Sequence, residues 1–194
     1  MNICSLYNCC SEFKKIMQKD LKIKHNAKSF SSRIGHFILL LISILLIFLI
    51  LFLFKQQLQN LTSFMGILTL VFGGLIGYKI WQNKLYVVDV ESDSNIIKIR
   101  YYDKNVEHKI SSDIKMAEVR LKNTSSRAGF DCELKLRIDN KNYVITDTFD
   151  WSLSEMKLLF EYIKYFKNEL LTEKEKFNLS RMTEKIKKTH YNNA

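Results

Sequence analysis

The chain of 194 residues has no proline. No helix is kinked by a missing N–H, and every reversal falls to Asn, Asp, Ser or Gly. Glycine is scarce as well: four of the six, Gly66, Gly73, Gly74 and Gly77, sit in one apolar stretch. A glycine-rich phosphate loop is therefore excluded. The cysteines Cys4, Cys9, Cys10 and Cys132 lack the paired C-x2-C spacing and histidine partners of a zinc site. His25, His36, His108 and His190 form neither an H-x3-H nor an H-E-x-x-H group. Ser125 and Ser126 have no nearby base and no glycine elbow. No catalytic residue, metal ligand or cofactor is expected, and the reading is non-enzymatic.

Two apolar runs dominate the first half, Ile34 to Phe54 and Leu61 to Trp81, separated by Lys55-Gln56-Gln57-Leu58-Gln59-Asn60. Neither contains Asp, Glu, Lys or Arg before Lys79. About 20 helical residues span the roughly 30 Å hydrocarbon layer, so the pattern predicts a transmembrane hairpin, 34–54 and 61–81. A cleaved signal would have a shorter apolar stretch and a small-x-small site; here 33 residues precede the run and no such site follows Phe54. Thr69, Gly73 and Gly77 share one helical face and form a close-packing stripe, either against the first span or against a neighbouring subunit. His36 belongs at headgroup level, with no deeper ionisable partner for a proton relay.

The net charge of +10 is unevenly placed. Residues 1–33 hold seven basic and two acidic groups, 84–171 hold fifteen of each, and 172–194 hold six basic and three acidic. The excess flanks the apolar runs or trails after the neutral part, which suits an anionic leaflet and gives no support for nucleic acid. Lysines before the first run and after the second predict that both termini face the cytoplasm. Lipidation of Cys4, Cys9 or Cys10 beside the basic segment adds little to a chain with two spans. The tail 172–194 and the stretch Phe13 to Ile23 read either as weak amphipathic helices or as frayed ends.

From Leu85 the apolar period becomes two. Val88 and Val90; Ile97, Ile99 and Tyr101; Val106, His108 and Ile110; and Phe130, Cys132, Leu134, Leu136 and Ile138 each alternate with polar residues. Ile114 and Met116 begin another strand whose phase slips to Ala117, Val119 and Leu121, as a β-bulge near Met116 would produce. A last strand runs from Tyr143 to about Thr148. Ser152 and Glu155 have capping-box spacing ahead of Met156, Leu159, Phe160, Ile163, Phe166 and Leu170, so a closing amphipathic helix is expected over 153–171. The fold class is an α+β membrane protein: a helical hairpin plus a small antiparallel β-barrel or sandwich of six to seven strands over 84–171. Lys122, Ser125, Ser126 and Arg127, around the loop 123–129, are the candidate ligand-binding residues, since hydroxyls, cations and free N–H groups can hold an anion.

A membrane hairpin followed by six or seven antiparallel strands and one closing helix resembles the bacterial PH-like membrane proteins over roughly residues 35–171, with Ser111 to Leu121 similar to their mid-domain strand. The resemblance implies an inner-membrane binding or scaffolding module for a protein partner, a lipid headgroup or its own copies, and no catalytic residues. The layout is also similar to two-span effectors of antiphage systems that sense cyclic oligonucleotides, although the strong terminal helix departs from them. A membrane-resident immunity protein is a third possibility that leaves no mark in the residues.

Overall fold

A computed structural model of the chain describes residues 20–54, 59–93, 95–124, 131–147 and 150–192. The fold is α+β and divides into two compact units. One takes its described residues from 20–27, 86–102 and 107–192, and the other from 28–85 and 103–106.

The first unit is built on two antiparallel sheets. Strands β1 (Leu21–Lys24), β2 (Leu85–Asp93), β3 (Ile96–Asp103) and β4 (Val106–Asp113) lie in that order in one. β5 (Glu118–Asn123), β6 (Cys132–Ile138) and β7 (Lys141–Ile145) form the other. Of the expected barrel or sandwich, the barrel does not close among the described residues, because β4 and β5 are not neighbours in either sheet. A 3-10 turn, Ile114–Met116, leads from one sheet to the other, with Asp113 accepting from Lys115 N. This turn replaces the bulge expected near Met116: Ile114 is buried while Met116 is 72% exposed, so the phase slip marks a change of sheet.

Without proline, the reversals use left-handed Asn, Asp and Lys residues. Asp139 (φ 47) and Asn140 (φ 63) make the two-residue connection between Ile138 and Lys141, the positive-φ pair that a type I′ hairpin requires. Alternation then fills the core with Ile97, Ile99 and Tyr101 from β3, Val119 and Leu121 from β5, and Cys132, Leu134, Leu136 and Ile138 from β6.

Helix α3, Leu153–Phe166, starts on the expected capping box, and Met156, Leu159, Phe160 and Ile163 are buried beneath it. It ends five residues before the expected 171, because Asn168 adopts φ 52 and breaks the ladder. Leu170, expected on its apolar face, is 92% exposed.

Of the terminal segments, the first departs from the sequence reading and the second takes the helical one of the two forms expected. Leu21-Lys22-Ile23-Lys24 is a strand, paired antiparallel with β2 from Leu21↔Ser92 to Lys24↔Asp89. The β domain therefore begins inside the segment taken as a basic leader. The tail is a 20-residue helix, α4, Glu173–Asn192. A second capping box opens it, Thr172 Oγ1 accepting from Glu175 N and Glu175 Oε2 accepting from Thr172 N. Leu179 and Met182 are buried, and Asn178 Nδ2 donates to Leu121 O at 3.3 Å.

The second unit contains the two long helices. The first described apolar run forms α1, Phe30–Phe54, and the second forms α2, Gln59–Gln82; the two pack on each other. Among the described residues, one window is long and apolar enough to cross a membrane: Phe30–Ile47, of mean hydropathy 2.0, with 6% of it buried. Arg33, one of the basic residues before the first apolar run, is 2% exposed. Its guanidinium donates to Asn83 O and to Lys104 O, each at 2.6 Å, which ties the base of α1 to the residues that follow α2.

Candidate functional site

Of the four residues expected to bind a ligand, Lys122 is exposed on the outer side of β5, opposite Glu133 on β6. Ser125, Ser126 and Arg127 lie outside the described residues. The base of their loop is closed by the Asn123↔Cys132 pair and by Thr124 N donating to Asp131 O. Beside it, the Asp131 and Asp147 carboxyls are neighbours, and Lys185 Nζ of α4 approaches Asp147 to 3.6 Å. Burial, and then Asp131, push the Asp147 carboxyl above its usual range, with Lys185 opposing. The described surroundings of the loop thus bring Asp131, Glu133 and Asp147 together with Lys122 and Lys185.

This pair has a titratable consequence. With the folded-state pKa raised, the folded chain holds more protons than the unfolded chain, so the contribution of Asp147 to stability improves as pH falls through the raised value. Asp147→Asn removes the cost of burying charge. Its melting temperature should exceed that of the unmodified protein at neutral pH, and the gap should close as pH drops below about 4. Thermal melts of both proteins across that range check the sign.

The outer face of β2, β3 and β4 carries a polar cluster. Asp89, 9% exposed, accepts from Arg100 Nε at 2.6 Å and from His25 N at 3.2 Å. The Asp89 hydrogen bond holds the Arg100 guanidinium more firmly charged. Glu107 accepts from Tyr102 Oη at 2.9 Å and lies 3.3 Å from Lys109 Nζ and 3.8 Å from Arg100. Those hydrogen bonds, Tyr102 first, hold its carboxyl below the usual range. Each charge already faces its opposite, so the cluster binds strands laterally and offers no empty cradle.

Asp20, Lys22, Glu91, Ser92, Asp93, Ile96 and Lys98 line a shallow cleft of about 150 Å³. Small-molecule sites run to roughly 300–1,000 Å³, so this one is too small for a nucleotide-sized ligand. Glu91 is also already paired with Lys24 at 2.7 Å. Cys132 is fully buried, and burial pushes its thiol up to about 11, which makes it a packing residue. Among the described residues no group of His, Cys, Asp and Glu could hold a metal ion.

Thr69 and Gly77 are exposed and Gly73 is half-buried. A Cβ added at either glycine would meet no described atom within 4 Å. Among the described side chains of α2, Ile76 is buried.

The sequence reading missed one constellation. His25, at the end of β1, packs its ring 5.0 Å from Trp151, whose Nε1 donates to Val87 O at 2.8 Å. His25 Nε2 lies 3.7 Å from Glu155 Oε1 of the α3 capping box. The two-residue alternation of Leu21 to Lys24 was the signal that could have revealed it. No protein-family model, no curated protein and no solved structure matches this chain.

Proposed function

We propose that the protein is a membrane-anchored, non-enzymatic binding module, with α1 and α2 crossing the cytoplasmic membrane as a hairpin and the β domain facing the cytoplasm. The observation that carries this is the pairing of β1 with β2 across the whole helical insertion. Strands that exchange backbone hydrogen bonds lie on one side of any bilayer. The chain between Lys24 and Asp89 must then cross an even number of times. A single span would tear β1 from β2, and cleavage after α1 would remove β1 altogether.

Two further features support a lipid environment. Leu39, Leu40, Ile42, Leu46, Ile47, Leu49 and Ile50 are each half exposed or more. Soluble proteins seldom leave so much contiguous apolar surface uncovered. At 25 and 24 residues, both helices are long enough for a hydrocarbon layer of roughly 30 Å. The lysines on either side of the pair favour the cytoplasmic face for both ends. The four-plus-three strands with α3 packed on them support the resemblance to PH-like domains, with the helices inserted after the first strand and a further helix added at the end.

The test is topology. Cysteine placed at Lys98 or at Lys174 should resist a membrane-impermeant maleimide applied to intact cells, and cysteine at Gln57 should react. The protein should also stay with the membrane in alkaline carbonate. Labelling of the Lys98 position from outside, or release by carbonate, would overturn the reading.

A further inference from the structure

The sheet edges of the β domain are not treated alike. β1 has four residues and β7 has five, too short to recruit a long partner strand. The edge at β5 is covered by side chains: Leu121 O accepts from Asn178, and Ala117 O, just before the strand, accepts from Lys167 Nζ at 2.8 Å. β4 is different. It offers eight residues, has no strand on its outer side among the described residues, and leaves Glu107, His108 and Lys109 exposed and Ile110 half exposed. An open edge of this length is a template for strand addition.

We propose that β4 pairs antiparallel with β4 of a second copy, about a two-fold axis through His108. This rests on reading the β domain as a binding module and names its partner as the same chain.

The strand itself selects the register. In a continuous sheet, residues directly opposite one another point to the same face, so core-side residues must meet core-side residues. His108, stacked on Tyr101 at 5.2 Å, marks the core side, and Glu107 and Lys109 mark the outer side. Registers that obey this rule differ by steps of two residues. Centring on Glu107 sets two glutamates face to face, and centring on Lys109 sets two lysines. Centring on His108 sets Glu107 opposite Lys109 in both directions and brings Ile110 against Val106 of the second copy. Lysine on an edge strand ordinarily repels a partner, but here each lysine meets a carboxylate. The pairing is isologous, so it closes at two copies.

Full-length protein with Cys4, Cys9 and Cys10 replaced by serine gives a direct test in detergent and in liposomes. Directly opposite residues have Cα atoms about 4.5–5.5 Å apart, within disulfide reach. His108→Cys should then form a disulfide dimer under mild oxidation, at least tenfold faster than Lys135→Cys on the outer face of β6. Glu107→Cys alone should not, since its own copies stand roughly 8 Å apart. An equal mixture of Glu107→Cys and Lys109→Cys proteins should cross-link readily, and this arm leaves the His108–Tyr101 stack intact. Equal rates for His108→Cys and Lys135→Cys, or a mixture no faster than Glu107→Cys alone, would overturn the proposal. Carbonate extraction of the same samples separates this failure from failure of the membrane reading.

Discussion

Replacing Leu21 and Ile23 together by alanine is expected to unfold the β domain, even though these residues precede the apolar helices and the rest of the domain follows them. Both side chains are about 5% exposed, and they face inward from β1 while Lys22 and Lys24 face out. Truncating a buried Leu or Ile to Ala costs about 2–5 kcal/mol, from lost transfer energy and the cavity left behind. Two such losses on one short strand approach the roughly 5–15 kcal/mol that holds a domain together. The strand also supplies the neighbour for β2, whose backbone from Asp89 to Ser92 would face an empty edge once β1 detaches. Limited proteolysis of membranes should therefore cut the double variant within the β domain under conditions that leave the unmodified protein intact. Lys22→Ala, on the exposed side, is the control and should change nothing measurable.

The same pairing sets how the chain is assembled. β1 is made first, but its partner arrives only after both long helices have been synthesised. The contact spans more than 60 residues, so its loop-closure cost falls on a chain whose intervening segment is already helical. Packing of the two helices on each other shortens that search. Arg33 acts at that point, joining the first turn of α1 to the carbonyl of Asn83 just beyond α2.

What could be read from the residues follows the range of the forces involved. β3 and β6 were legible because one face is buried and the other wet, which writes a period of two into Ile97-Ile99-Tyr101 and Cys132-Leu134-Leu136-Ile138. α3 was legible because its start is a local chemical signal, Ser152 with Glu155. Its end was not, since Leu170 continues the apolar spacing while Asn168 turns the backbone away. β1 is four residues long and its partner is remote, so no local window contains the reason it is a strand. α4 is sparsely apolar; what holds it is Asn178 reaching the Leu121 carbonyl, along with Leu179 and Met182. The failure of the barrel to close depends on a three-residue turn whose only trace in the sequence was a slip in phase at Met116. For the candidate site, composition pointed to four residues around the loop after β5, of which Lys122 alone is described. The polar cluster around Asp89 was hidden, because pairing partners on three strands are adjacent only after the sheet forms.

Trp151→Ala should be the most damaging single substitution in the β domain. Trp151 is 3% exposed, and removing a buried Trp side chain costs about 3–5 kcal/mol. Its indole has a second role. The β1 pairing ends at Lys24↔Asp89, and two residues further along β2 the Val87 carbonyl accepts from Trp151 Nε1. The tryptophan thus continues the edge that β1 leaves unfinished, while its ring covers His25 at the point where β1 stops. Trp151→Phe separates the two roles: it keeps most of the buried ring but leaves a buried carbonyl unpaired, at about 1–3 kcal/mol. Urea melts in detergent should rank the unmodified protein above Trp151→Phe and Trp151→Phe above Trp151→Ala. If phenylalanine restores full stability, the hydrogen bond to Val87 contributes nothing and packing alone explains the site; if phenylalanine is as poor as alanine, the indole N–H is the feature that holds the end of β1 to the sheet.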